Sequence, residues 1–221
     1  MRPAGRTQIA GRTTHSTSAF GYFLAGMNSD FLSEDRNPRI AVSVKAGLDQ
    51  RAARMPEPMS LMIRQATAAD RGQIEALLVS SWGSTTVISR GVAHDAAALP
   101  AFVATREGGL VGLATYRIDG DACELVSLDT TKRHRGVGSA LLAHVADHAR
   151  AQGARRLWLI TSNDNLDALR FYQRRGLRLV AVHRGAIDRA RLLKASIPLT
   201  GTYGIPIHDE LELELALQPE A

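Results

Sequence analysis

The sequence predicts a mixed α/β domain, with a mostly antiparallel central sheet of six to seven strands flanked by helices. Three observations carry this. Short apolar runs broken by Gly-containing turns between residues 102 and 128 mark consecutive hairpin strands. Two helical patterns, each following an apolar strand, then give a strand-helix-strand-helix order, which implies a right-handed crossover and a parallel pair within the sheet. The closing run 210–217 (ELELELAL) alternates strictly, the period of a strand with one face in water and its glutamates on that face.

The elements follow from Met59 onward. Residues 61–64 form a short strand, and Thr67-Ala-Ala-Asp70 resembles a capping box ahead of a helix with Ile74, Leu77 and Leu78 on one face. That helix ends around residues 81–83, and 84–95 read as a polar connector into an Ala-rich segment stopped by Pro100. Strands are predicted at 102–106, 110–118 and 122–128, around the turns Glu107-Gly108-Gly109 and Asp119-Gly120. A helix over 138–152 ends at Gly153, the usual place for a left-handed residue. Then come a buried strand at 156–162, a turn at 163–165, a helix over 166–175 closed by Gly176, and a strand at 177–183.

Residues 1–58 read differently. The first 28 hold Arg2, Arg6 and Arg12, no acid and no sustained period, so this stretch is expected to be a disordered extension ahead of a domain over 59–221. Its Arg-rich, acid-poor composition also suits an organelle transit segment, and a translated leader before Met59 or Met62 is the plainest alternative.

Composition excludes several classes. No apolar run approaches the roughly 20 residues that cross a bilayer, which predicts a soluble, cytoplasmic protein with no membrane partner. The net charge of +5 suggests nucleic acid, but residues 1–58 hold 8 basic against 5 acidic residues and the rest hold 19 against 17. The domain is therefore nearly neutral and no nucleic-acid partner is expected. The single cysteine, Cys123, sits on a predicted strand and reads as a buried structural thiol.

Chemistry concentrates between residues 123 and 142, CELVSLDTTKRHRGVGSALL. An apolar strand meets a basic turn, Arg133-x-x-Gly136-x-Gly138, at the start of a helix. Unpaired backbone N–H groups at a helix N-terminus attract anions, the glycines allow close approach, and Lys132, Arg133 and Arg135 add charge. That combination suits a pyrophosphate. A nucleoside-triphosphate loop would need Gly-Lys-Ser/Thr four residues after its first glycine, and a dinucleotide fingerprint would need glycine in place of Leu141; both fail on spacing.

The turn resembles the R/Q-x-x-G-x-G/A signature of the GNAT N-acetyltransferases. A second block stands at the distance which that family shows: Asn165-x-x-Ala168-x-x-Phe171-Tyr172-x-x-x-Gly176-Leu177. The similarity covers residues 61–217 and implies a sheet splayed at the strand before the Gly turn. It also implies acetyl-CoA as co-substrate, no metal, and a small-molecule or protein amine as acceptor, in a monomer or homodimer.

Carried over residue by residue, the resemblance assigns main-chain groups of Leu125, Val126, Ser127 and Leu128 to the pantetheine arm. It assigns Arg133, His134, Arg135, Gly136, Val137, Gly138 and Ser139 to the pyrophosphate, Asn165 to the cofactor arm, and Tyr172 to protonation of the leaving thiolate. Asn165 is equally an N-cap, and Tyr172 equally a core aromatic. Several relatives that acetylate protein N-termini carry a Glu on the strand at 156–162, where this chain has Ile160. Glu124 is the nearest substitute base, unless it faces away from the cleft. The absent Glu keeps open a second reading, a CoA-binding regulatory protein without turnover.

For the acceptor, the family's usual segments point to Trp82, Arg90 and Tyr203, with Ser81, Ser84 and His94 nearby; Trp82 reads as an aromatic wall or as a buried helix-end anchor. The long loop 197–208, pinned by prolines, reads as a lid or an oligomer contact. His144 and His148 lie four apart on one helix, but no Glu and no third ligand accompany them, so they read as helix surface.

Overall fold

Apolar side chains on alternate strand positions dictate a two-faced sheet, and the computed structural model, which describes residues 60–131 and 136–218, forms one. Along the chain run β1 (Met62–Gln65), α1 (Arg71–Trp82), β2 (Thr86–Ser89), β3 (Val92–Asp95), β4 (Ala101–Arg106), β5 (Gly109–Asp119) and β6 (Ala122–Thr130). Then follow α2 (Val137–Ala151), β7 (Arg156–Ser162), α3 (Leu166–Gln173), β8 (Arg178–His183), α4 (Ala186–Ala190) and β9 (Glu210–Ala216). Seven strands share one sheet in the order β1-β4-β5-β6-β7-β9-β8. Every neighbouring pair is antiparallel except β6 with β7, which α2 joins as the predicted crossover.

The two faces carry separate cores. On one, α2 and α3 bury Leu141, Val145 and Phe171 against Tyr116, Leu125, Leu157 and Leu159. On the other, Ile74, Leu78, Ile88 and Ile187 pack against Val103, Leu113, Val126, Trp158 and Ile160. Each such side chain contributes about 1.5–3 kcal/mol of burial. Gly112 on β5 sets where α2 lies, because a Cβ there would come within 2.7 Å of Val137 and 2.9 Å of Leu141. The absence of a side chain lets the first turn of α2 rest directly on the sheet.

The capping box forms at the entrance to α1. The Asp70 carboxylate accepts the Thr67 backbone N–H at 2.7 Å and its hydroxyl at 2.9 Å, and Arg64 donates two bonds of 2.7 Å from β1. These bonds, Arg64's foremost, hold the Asp70 carboxyl well below the usual carboxylate range.

Two expectations are corrected. Residues 84–95 are not a featureless connector but the β2–β3 hairpin, whose two-residue turn puts Arg90 (φ +49°) and Gly91 (φ +77°) in the left-handed region. The β-branched run Thr85-Thr86-Val87-Ile88 was the available signal. The β9 glutamates are not a solvated face either: Glu210 and Glu212 are buried and Glu214 is half-buried. Alternation reports only that the two sides of a strand differ. Here the polar side lies on the face that α1, the β2–β3 hairpin and α4 pack against, and the hairpin's Arg90 N–H bonds Glu210, so that side is covered too.

Because the depressed Asp70 pKa supplies stability above the unfolded value of about 3.9 and loses it only as pH falls toward the folded value, Asp70→Asn is expected to cost about 1–2 kcal/mol at neutral pH. In urea denaturation the gap between wild type and variant should narrow as pH is lowered below about 4.

Candidate active site

The centre of the sheet opens where β6 and β7 part. Their parallel ladder holds only Ala122–Arg156, Cys123–Leu157 and Glu124–Trp158, although β6 continues to Thr130 and β7 to Ser162. A bulge bends β6 just beyond that point: Thr115 pairs with Ser127 and Tyr116 with Leu125, leaving Val126 as the extra residue. Main-chain groups of Leu125, Val126, Ser127 and Leu128 therefore border a widening gap, in the splay that the resemblance implies. Their side chains are buried, Leu125 and Leu128 toward the α2 side and Val126 toward α1, while Ser127 Oγ accepts the Thr115 hydroxyl at 3.0 Å.

The Gly turn follows. Lys132, Arg133, His134 and Arg135 lie outside the described residues. Gly136 stands at φ +88° as the N-cap of α2, and its carbonyl accepts the Ala140 N–H at 2.9 Å. The first-turn amides of Val137, Gly138 and Ser139 precede any intrahelical bond, as a helix start requires. One cation here escaped sequence reading. Arg175 donates to Ser139 Oγ from Nε (2.9 Å) and Nη2 (2.5 Å) and lies 3.5 Å over the Phe171 ring, which brings a guanidinium to the first turn of α2. Its four-residue spacing from Phe171 on a helix was the signal.

Across the gap, Asn165 caps α3, its Oδ1 accepting the Ala168 N–H at 3.1 Å. Tyr172 is fully buried, and its hydroxyl has no hydrogen-bond partner among the described residues. Burial first, then the nearby Asp129 charge, pushes the phenol pKa far up, so it holds its proton at neutral pH. Asp129, at the end of β6, accepts the Trp82 indole N–H at 2.9 Å. Trp82 is thus a buried helix-end anchor tied to the splayed strand.

Glu124 stands on the last rung of the β6–β7 ladder, beside Trp158, buried and 3.4 Å from the Arg117 guanidinium. Arg90 reaches over the same Trp158, its guanidinium carbon 5.5 Å from the ring centre. Tyr203 sits elsewhere: it is exposed, at φ +61°, with its hydroxyl donated to Asp167 on the first turn of α3 at 2.8 Å. Loop 197–208 is accordingly tethered. Thr202 N–H reaches Asp164 at 2.8 Å, Asn163 donates to Pro206 O at 2.8 Å, and Ser162 donates to Asp164. His148 packs edge-on against Phe102 and Tyr116, and His144 Nδ1 lies 2.8 Å from Ala140 O. Cys123 is buried, which pushes its thiol pKa up to about 12.

A sheet splayed beside a Gly-capped helix, with a buried tyrosine across the gap, defines an acetyltransferase class. The sequence model of the Acetyltransferase (GNAT) family matches residues 64–177, and the chain belongs to that family. The Bacillus subtilis (strain 168) proteins YdhI and YxbD, both described as uncharacterized, are similar to it. YdhI is 42% identical over 59% of this chain and 82% of its own length; YxbD is 40% identical over 66% and 92%. A solved Bacillus subtilis acetyltransferase in complex with CoA superposes with a TM-score of 0.54 at 18% identity, over 72% of this chain and 100% of that one. At that identity it speaks for the fold.

The loop tether gives a prediction. A Cβ on Gly201 would land on the Asp164 carboxylate and come within 2.7 Å of Ile207. Gly201→Ala is therefore expected to destabilise the protein by about 1–3 kcal/mol, with new protease cleavage in loop 197–208 under native conditions.

Proposed function

We propose that the protein moves the acetyl group of acetyl-CoA to a primary amine of a small molecule or an exposed protein amine, with Tyr172 as general acid. The carrying observation is the Tyr172 hydroxyl: buried, protonated, within reach of the Asp129 charge on β6, and without a partner among the described residues. An orphaned buried donor is costly unless a ligand uses it. The residues present fit acetyl-CoA. Main-chain groups at 125–128 hold the pantetheine arm, and the amides of Gly136, Val137, Gly138 and Ser139 hold the pyrophosphate. Arg133, His134 and Arg135 belong with them, Arg175 adds charge, and Asn165 bonds the arm. The CoA in the Bacillus subtilis relative supports this reading. Residues 59–221 form the catalytic domain in this reading, and 1–58 an extension to it.

Acetyl-CoA supplies a thioester whose carbonyl carbon accepts the nucleophile and whose sulfur leaves. The protein's residues do the rest. Backbone N–H groups at the bulge stabilise charge on the carbonyl oxygen. Glu124 draws the proton from the acceptor ammonium, directly or through water, so that the neutral nitrogen forms the new N–C bond. Tyr172 gives its proton to the sulfur as the C–S bond breaks, and the proton that the attacking nitrogen sheds on becoming an amide passes to the phenolate, directly or through water. Of the three acceptor residues named from sequence, only Arg90, over Trp158, keeps that role in this reading; Trp82 is a buried anchor on Asp129 and Tyr203 is tied to Asp167 on α3.

Thiol release from acetyl-CoA across a panel of amines tests the reading. Tyr172→Phe is expected to lower kcat by about 10²–10⁴-fold, leave the acetyl-CoA Kd unchanged, and not lower Tm, since it removes an unsatisfied buried hydroxyl. A variant within twofold of wild-type kcat would dismiss the acid role. Gly136→Glu should abolish acetyl-CoA binding, because a side chain and a negative charge enter the anion site. Tight acetyl-CoA binding with no turnover on any amine would make the protein a CoA-binding regulator instead.

A further inference from the structure

Two guanidiniums lie over the Trp158 ring, and only one of them is neutralised. Arg156, its guanidinium carbon 6.0 Å from the ring centre, pairs with Glu214 at 2.8 Å. Arg90 stands 5.5 Å from the same centre, exposed to solvent, with its guanidinium within ion-pair distance of no carboxylate among the described residues. Acids on this face are engaged elsewhere: Glu124 with Arg117 at 3.4 Å, Glu212 with His183 at 2.7 Å, and Glu210 with the Arg90 backbone N–H at 3.2 Å.

The strand register locates that unpaired guanidinium. Glu210 pairs with Ser162 at the end of β7, so its bond to the Arg90 N–H puts the Arg90 backbone near that end. The side chain then runs back along β7 to Trp158, which pairs with Glu124 on the last rung of the β6–β7 ladder. Residues 159–162, which it passes, are those left without a β6 partner. Arg90 therefore follows the gap on the α1 face and brings its charge to the closed end. Paired residues of neighbouring strands share a face, so Glu124 lies on that face too, one strand spacing of about 5 Å from Trp158.

The hairpin holds Arg90 in this place. Val87 and Ile88 are buried in the core on the α1 side, and Arg90 itself takes φ +49°, a left-handed conformation that is disfavoured for a residue with a Cβ. Strain of that kind collects at ligand clamps. A guanidinium resting on an aromatic face keeps its N–H fork available, and that fork matches a carboxylate bidentately.

We propose that the Arg90 guanidinium binds a carboxylate of the acceptor, so that the enzyme acetylates primary amines that also carry a carboxylate. Such a zwitterion meets two opposite charges at the closed end of the gap: its ammonium goes to Glu124 and its carboxylate to Arg90. This rests on the acetyltransfer reading above, with Glu124 as base, for the reaction; capture of the carboxylate does not depend on it.

The test compares glycine, β-alanine and γ-aminobutyrate, each with its own primary amide, which keeps the amine and removes the negative charge. With the full chain, kcat/KM by thiol release and Kd by calorimetry in the presence of CoA are measured for every pair. Wild type should favour the acid over the amide by about tenfold or more at the chain length that fits, and Arg90→Gly should bring that ratio to about one. Glycine adopts φ +49° freely, so the variant keeps the turn, and its acetyl-CoA Kd checks that it folds. A wild-type ratio near one at every chain length, or an Arg90→Gly variant that keeps the preference, overturns the proposal. Should no amine be acetylated, the acetyltransfer reading fails, and the ratio of Kd values then decides the carboxylate site alone.

Discussion

The short ladder between β6 and β7 is the constraint on which the rest depends. Three paired residues hold the strands together at one end, and the Val126 bulge turns β6 away beyond them. A sheet that splits in its interior leaves backbone groups facing the gap without ladder partners, and buried backbone groups require partners. The fold thereby creates a demand for an extended ligand. Gly112 then places the α2 N-terminus at the open end of the same gap, by letting that helix sit against β5. The parted strands and the α2 N-terminus thus come together at one distortion of one strand.

The gap is held open by residues from both faces. Trp82 ends α1 on one side and bonds Asp129 on the splayed strand, while Tyr172 comes from α3 on the other. Burial and the Asp129 charge both oppose phenolate formation, so they act together to keep the proton on Tyr172. Arg175 lies just past the C-terminal end of α3 and fastens it to the first turn of α2 through Ser139. Loosening either attachment would misplace the hydroxyl relative to the gap. The contacts that fix Tyr172 are themselves contacts of the core.

How much of this was readable from the sequence follows from how local each feature is. The helix start at Gly136 and the Asn165 cap lie on short stretches whose spacing is set by a single helix or turn, and both were legible. So were the antiparallel strands and the crossover. The β2–β3 hairpin was missed because its turn is Arg90-Gly91, not the Asn-Gly or Asp-Gly pair that marks such turns. The β9 glutamates were misread for a different reason. Alternation shows that two sides of a strand differ in polarity, but burial of the polar side depends on what packs over it. That α1, the β2–β3 hairpin and α4 cover this face is written nowhere near residues 210–216.

The same distinction separates the donor side from the acceptor side. The donor side uses main-chain groups and helix ends, so any sequence that makes the turn recognises the same anion. The α1 face of the sheet, by contrast, is made of side chains from the β2–β3 turn, β7 and β9, brought together only by sheet order. Its chemistry is a charge balance, and balance has no local signature: Glu212 and Glu210 are two residues apart on one strand, and only the first has a cation within reach among the described residues. His183 stands opposite Glu210 in the β8–β9 register, yet its imidazole and the Arg156 guanidinium both reach diagonally to Glu212, while Glu210 accepts a backbone N–H from the hairpin turn at Arg90. An unbalanced carboxylate in a buried place lowers stability.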